Sequence, residues 1–183
     1  SSDVCSSDLG SLVNSSICGQ VPSSTSSTPY KYSNFTTTVA AVNLIAGQTV
    51  PFSINIGTCG SSNPNSTAIF IDWNRDGDFA DAGEKIGQSG FPTGPNVYSG
   101  NFIVPSTIVP GVTRMRIVNT ETYNSITTNF IVDYGEIEDY NVNLVGVGTG
   151  SGTSNWLWFS GVNSVGASNQ ITVNPTEIGR AHV

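Results

Sequence analysis

Five carboxylates fall within thirteen residues, Asp72-Trp-Asn74-Arg-Asp76-Gly77-Asp78-Phe-Ala-Asp81-Ala-Gly83-Glu84, with Arg75 the single positive charge among them. Side chains bearing oxygen at alternate positions, closed by a glycine at the sixth, surround hard cations. Ca2+ takes six to eight oxygen ligands, and one loop supplies several of them only if the chain turns sharply at that glycine. Asp72, Asn74 and Asp76 occupy the first, third and fifth positions, and Gly77 the sixth. Asp78 offers its carbonyl at the seventh, and Asp81 and Glu84 extend the set. The expected metal ligands are therefore Asp72, Asn74, Asp76, Asp78, Asp81 and Glu84, with Ca2+ as the cofactor. A plain acidic turn is the competing reading, since Asp-Gly between apolar runs is a hairpin signal. That reading accounts for Asp76-Gly77. It leaves the crowding of the other carboxylates unexplained, because they repel one another without a cation.

The flanks decide the kind of loop. Thr67-Ala-Ile-Phe-Ile-Asp72 is β-branched and aromatic with no helical period, which predicts a strand. Gly83 stands where a helix-loop-helix calcium site has its bidentate Glu, and Glu84 follows one residue late. The likeness to an EF-hand thus covers loop chemistry only.

Both ends of the chain read as translated sequencing adapter. The codons AGT TCA GAC GTG TGC TCT TCC GAT CTN encode Ser1–Leu9. The codons GAG ATC GGA AGA GCA CAC GTC encode Glu177–Val183, and their last twenty bases are the reverse complement of a stretch in the first string. Such segments are set aside before reasoning about fold. What remains is 167 of the 183 residues, without Cys5 or the single histidine, His182. Six basic residues less Arg180, against thirteen acidic residues less Asp3, Asp8 and Glu177, change the net charge from −7 to −5. The acidic loop then holds half of the ten remaining acids.

Ser, Thr, Asn, Gly and Val dominate, while Lys, Glu and Leu are scarce, a composition suited to strands and loops. Residues 10–29 read as a loose leading segment. Strands are expected in Tyr30–Val39, at Val50–Ile56 with strict apolar alternation, and at Ala68–Trp73. Others are expected at Tyr98–Val104, Val112–Val118, Ile131-Val132 and Ile137–Val145. Turn signals at this spacing predict an all-β fold, an antiparallel β-sandwich of jelly-roll or Ig-like type over residues 30–145. Residues 146–154 have a flexible linker composition. Residues 155–176 read as a second, truncated β module of Ig-like or PKD-like type. Its Trp156 and Trp158 share a strand face, as core residues or as a sugar-stacking platform. Cys18 and Cys59 are a possible disulfide, which implies an oxidising compartment.

A second acidic motif, Gly135-Glu-Ile-Glu-Asp139-Tyr140, runs directly into Asn141–Val145. Alternation sets Glu136, Glu138 and Tyr140 on one face. Carboxylates among apolar residues need a counter-charge. Arg114 and Arg116, on one face of the Val112–Val118 strand, are expected to pair with Glu136 and Glu138; the loop cation is the other candidate. Asp139 is expected to face the other way.

At these residues the chain resembles the GEVED-domain family of secreted, multidomain bacterial proteins. Gly135–Tyr140 resembles its naming motif, with Ile137 in place of Val. Phe70–Glu84 resembles its acidic loop, and Val112-Thr-Arg-Met-Arg116 its basic strand. The resemblance spans about Tyr30 to Val145. It implies an extracellular or cell-surface β-sandwich that accompanies proteases, adhesins or other surface modules, without an established activity.

The segment between the adapter ends has no histidine, so Ser-His-Asp, Cys-His and His-based zinc chemistry are not expected. Paired carboxylates of a glycosidase lie across a cleft, whereas Glu136 and Glu138 are neighbours on one strand. The acidic balance, with no basic cluster, argues against nucleic acid. No apolar run approaches the roughly 18 residues of a membrane span. The expected function is a non-catalytic, Ca2+-stabilised structural or adhesion module. Its partners would be a surface protein or glycan and neighbouring domains of the parent chain. The alternative is a carbohydrate-binding module appended to a secreted enzyme, for which Tyr98, Tyr123, Tyr134, Trp156 and Trp158 are the aromatic candidates.

Overall fold

A computed structural model describes residues 2–17, 31–121, 124–127 and 134–146, with backbone alone for Ser2, Asp3, Cys5, 157–160 and 163–167. The chain divides into two units, Ser1–Val147 and Gly148–Val183. In the second, β11 (Leu157–Ser160) and β12 (Asn163–Ala167) pair antiparallel. The rest of the expected second module, residues 155–176 with Trp156, and the side chain of Trp158 lie outside the described residues.

The first unit is an all-β sandwich. One sheet joins β1 (Ser2–Leu9), β2 (Leu12–Ser15), β5 (Thr49–Thr58) and β8 (Asn96–Ile103) in the order β2-β1-β5-β8. The other runs β3 (Tyr32–Asn34), β10 (Gly135–Val145), β9 (Gly111–Thr120), β6 (Ser66–Ile71), β7 (Lys85–Gln88). β4 (Val42–Ile45) also pairs with β10. Alternation is what allows two faces to meet. Val50, Phe52, Ile54 and Ile56 of β5 turn inward, as do Ile69 and Ile71 of β6, Met115 and Ile117 of β9, and Tyr140, Val142 and Leu144 of β10. Burying each such side chain contributes about 1.5–3 kcal/mol, and this apolar contact holds the sheets together.

The expected strands at Val50–Ile56, Ala68–Trp73, Tyr98–Val104, Val112–Val118 and Ile137–Val145 correspond to β5, β6, β8, β9 and β10. Ile131-Val132 lies outside the described residues. Among the described residues of the Tyr30–Val39 region, only β3 is strand. After it the chain leaves the sheet at Phe35, which stacks on Tyr140 with ring centroids 5.2 Å apart, and returns as β4. Both β3 and β4 run parallel to β10, a departure from a purely antiparallel sandwich.

Residues 2–9, set aside as adapter-derived, occupy the position between β2 and β5. A sheet position asks only for apolar residues at the inward register, whatever the origin of the segment. A register shift between Val4 and Ser6 lets Val4 and Leu9, of opposite parity, both reach the core at 0% and 2% exposure. Within the expected loose segment 10–29, Leu12–Ser15 forms β2.

Candidate metal centre

β6 is buried on both faces. Its inner residues pack in the sandwich, while Ala68 and Phe70 sit in a second cluster on the outer face with Phe79, Val118 and Ile126. Phe79 belongs to the acidic loop and meets Phe70 at 6.0 Å between ring centroids. Phe79 on the outer face and Trp73, buried in the main core against Phe102, thus fasten the loop to the sheet.

The loop ends are fastened by two buried carboxylates. Asp72 is 4% exposed and Glu84 1%. Asp72 accepts the backbone N–H groups of Arg75 (2.5 Å) and Gly77 (3.2 Å). Glu84 accepts those of Trp73 (3.0 Å) and Asp81 (3.2 Å), joining the beginning of the loop to its end. Burial pushes the Glu84 carboxyl above its ordinary range, with the backbone N–H groups of Asp81 and Trp73 acting against that shift. Gly77, at φ 97°, makes the turn predicted for the sixth position, and Arg75 adopts φ 63°. A non-glycine residue in this left-handed region needs outside support. The Arg75 guanidinium supplies it by donating to the carbonyls of Pro110 (2.7 Å) and Val112 (3.2 Å), over the turn that enters β9.

The remaining carboxylates face solvent. Asp76, Asp78 and Asp81 each place an oxygen within 4.8 Å of the others. Two oxygens that are each about 2.4 Å from one ion can be at most about 4.8 Å apart, so the spacing fits a single Ca2+. Asn74 is within the same group, donating from Nδ2 to Asp76 (3.0 Å) and Asp81 (2.5 Å). Asp76 accepts the N–H of Asp78 at 3.1 Å, and this bond, followed by that from Asn74, holds its carboxyl below the ordinary range. Of the six expected ligands the loop therefore gathers Asp76, Asp78 and Asp81, while Asn74 turns its amide nitrogen to the group and its oxygen to the Asp76 N–H. Asp72 and Glu84 turn to backbone amides; the role of loop clasp was not foreseen for them.

The ion pair is a correction. Arg116 makes a two-pronged contact with Asp139, Nε to Oδ1 at 2.7 Å and Nη2 to Oδ2 at 2.8 Å, and Arg114 reaches the same carboxylate at 3.4 Å. Neither arginine turns to Glu136 or Glu138. Asp139 is the cross-strand partner of Arg116, so the two share the outer face of the sheet. Glu136 and Glu138 lie on the opposite, inner face. There Glu136 accepts from the Ser33 hydroxyl (2.5 Å) and the Val4 amide (3.2 Å), and Glu138 from the hydroxyls of Ser7 (2.9 Å) and Tyr140 (2.8 Å). Tyr32 also donates to Asp139 at 2.9 Å, and burial, followed by the Asp139 charge, pushes its hydroxyl up to about 12. Arg116 lies over the Phe79 ring at 5.3 Å, linking the pair to the acidic loop.

Cys59 is disulfide-bonded, while Cys18 lies outside the described residues. Of the aromatic candidates, Tyr134 is 62% exposed, and Tyr98 is half-buried with its ring edge against Phe52. Tyr123 lies outside the described residues.

No curated protein matches the sequence. Among solved structures, the chain is similar to the CARDB domain of a Pyrococcus furiosus protein, crystallised in complex with di-metal ions. The identity is 11% and the TM-score 0.37, covering 58% of this chain and 87% of that one. The match to a family is specific in position: it begins at the first residue of β6, takes in the acidic loop and the arginine strand, and closes within β10. Residues 66–143 match the family model of the GEVED domain.

Proposed function

We propose that this chain is a non-catalytic, Ca2+-stabilised extracellular β-sandwich module of a secreted or surface bacterial protein, with a structural or adhesive role. The observation that carries the reading is the trio Asp76, Asp78 and Asp81, converging at a spacing one divalent cation spans. A cation there neutralises the exposed part of a loop whose ends are already tied down, and so couples its binding to folding. The Cys59 disulfide is in keeping with an oxidising compartment.

The test is thermal unfolding of the full chain in Ca2+ and in chelator. At a hundredfold excess over Kd the cation adds about 2.7 kcal/mol, a rise of several degrees in Tm. Asp76→Ala is expected to abolish the difference. Equal melting temperatures in Ca2+ and chelator would refute the calcium reading.

The alternative, a carbohydrate-binding module, draws on Tyr134, which lines an open cleft with Asn63, Pro64 and Glu121. Exposed aromatics offer an apolar face beside polar groups. Glycan-array binding lost in Tyr134→Ala would favour it.

A further inference from the structure

Beside the acidic loop is a cavity of about 350 Å³, lined by Arg75, Arg114, Asn141, Phe79, Asp72 and Val112 among others. Two of the chain's six basic residues face one cavity in a protein of net charge −7. Their charges are only partly balanced. Arg114 and Arg116 share the single carboxylate of Asp139, and Arg116 holds it with two short bonds while Arg114 stands at 3.4 Å. Arg75 is held by carbonyls, which orient the guanidinium without neutralising it. The Asp72 carboxylate also lines the cavity; two backbone amides orient it without neutralising it, so the three guanidiniums stand against the two carboxylates of Asp72 and Asp139. A planar fork fixed in direction, beside a second that is 48% exposed, is a donor set for a carboxylate.

We propose that Arg75 and Arg114 form a carboxylate-binding site, and that the ligand is a sugar acid. The volume falls in the range of small-molecule sites. A ring bearing hydroxyls uses the rest of the lining: the Asn141 amide for hydroxyls, and the exposed Val112 side chain for its C–H face. A peptide carboxylate brings amides to the same lining and no ring of hydroxyls. The site stands on the two arginines and does not depend on a cation in the loop.

The test is calorimetric titration of the full chain with glucuronate and galacturonate, alongside glucose, galactose and an N-acetylated dipeptide, each in Ca2+ and in chelator. Saturable binding of a uronate is expected, at least tenfold tighter than that of its neutral sugar or of the dipeptide. Arg114→Gln should weaken uronate binding at least tenfold. Because Arg114 is half-exposed, the melting temperature of that variant should stay within a degree or two of wild type. Arg114→Lys, which keeps the charge without the fork, should fall between. Absence of uronate binding, equal affinity for the neutral sugar, or tighter binding of the dipeptide would overturn the proposal. Binding that requires Ca2+ and survives Arg114→Gln would assign the carboxylate to the cation, and would also overturn it.

Discussion

The pairing of Arg116 with Asp139 offers a direct test of how the motif Gly135–Tyr140 works. Asp139 is 0% exposed and Arg116 26%. Removing one member of a fully buried pair costs about 3–5 kcal/mol, because the other is left charged in a low dielectric. Water reaches Arg116, so the cost here should be smaller, roughly 2–3 kcal/mol for Asp139→Ala. Arg116→Ala should cost a similar amount, since it leaves Asp139 buried with Tyr32 and the more distant Arg114. Once either is gone, removing the other forfeits little. The double variant should therefore be less destabilised than the sum of the singles, by about 1–2 kcal/mol. Urea unfolding of the four proteins measures the coupling. The control cycle is Arg116→Ala with Glu138→Gln. These residues lie on opposite faces of the sheet, so their effects should add to within about 0.5 kcal/mol. Strong coupling in the Glu138 cycle, with additivity in the Asp139 cycle, would refute the assignment.

Other outcomes follow from the same contacts. The Tyr32 hydroxyl is held up to about 12 in the folded chain, against 10.0 when free. The unfolded chain releases that proton first, so stability from this group is intact below pH 10 and lost as pH rises towards 12. Tyr32→Phe should flatten the fall in urea midpoint across that window; identical slopes would contradict the cause. Gly135 has φ 136°, and a Cβ there would collide with the Asn119 carbonyl. Gly135→Ala should cost about 3 kcal/mol or more, checked by thermal unfolding, because both backbone conformation and space oppose it. Phe79→Ala should destabilise by about 2–4 kcal/mol and weaken the Ca2+ binding proposed for the loop in the same preparation, since this ring holds the loop on the sheet. Intact Ca2+ affinity would show that the loop keeps its shape without that anchor.

The sequence alone determined much of this protein. Strict alternation in Val50–Ile56 and in Tyr140–Leu144 identified two strands with one buried face each, because a period of two can bury only one face. The spacing from Asp72 to Asp78 marked a turn at Gly77, since few other residues adopt that conformation. The parity of Glu136, Glu138 and Asp139 was also legible, and so was their division between faces. Short elements were not: β2, β4 and β7 have four residues each, too few for periodicity to show. Only the tertiary structure decided which carboxylate meets the arginines, because cross-strand register comes from two segments aligning and neither carries it alone. It likewise decided that Asp72 and Glu84 hold the loop while Asp76, Asp78 and Asp81 face outward. A carboxylate binds a metal or a backbone amide with the same oxygens, and burial, which no local pattern encodes, selects between them.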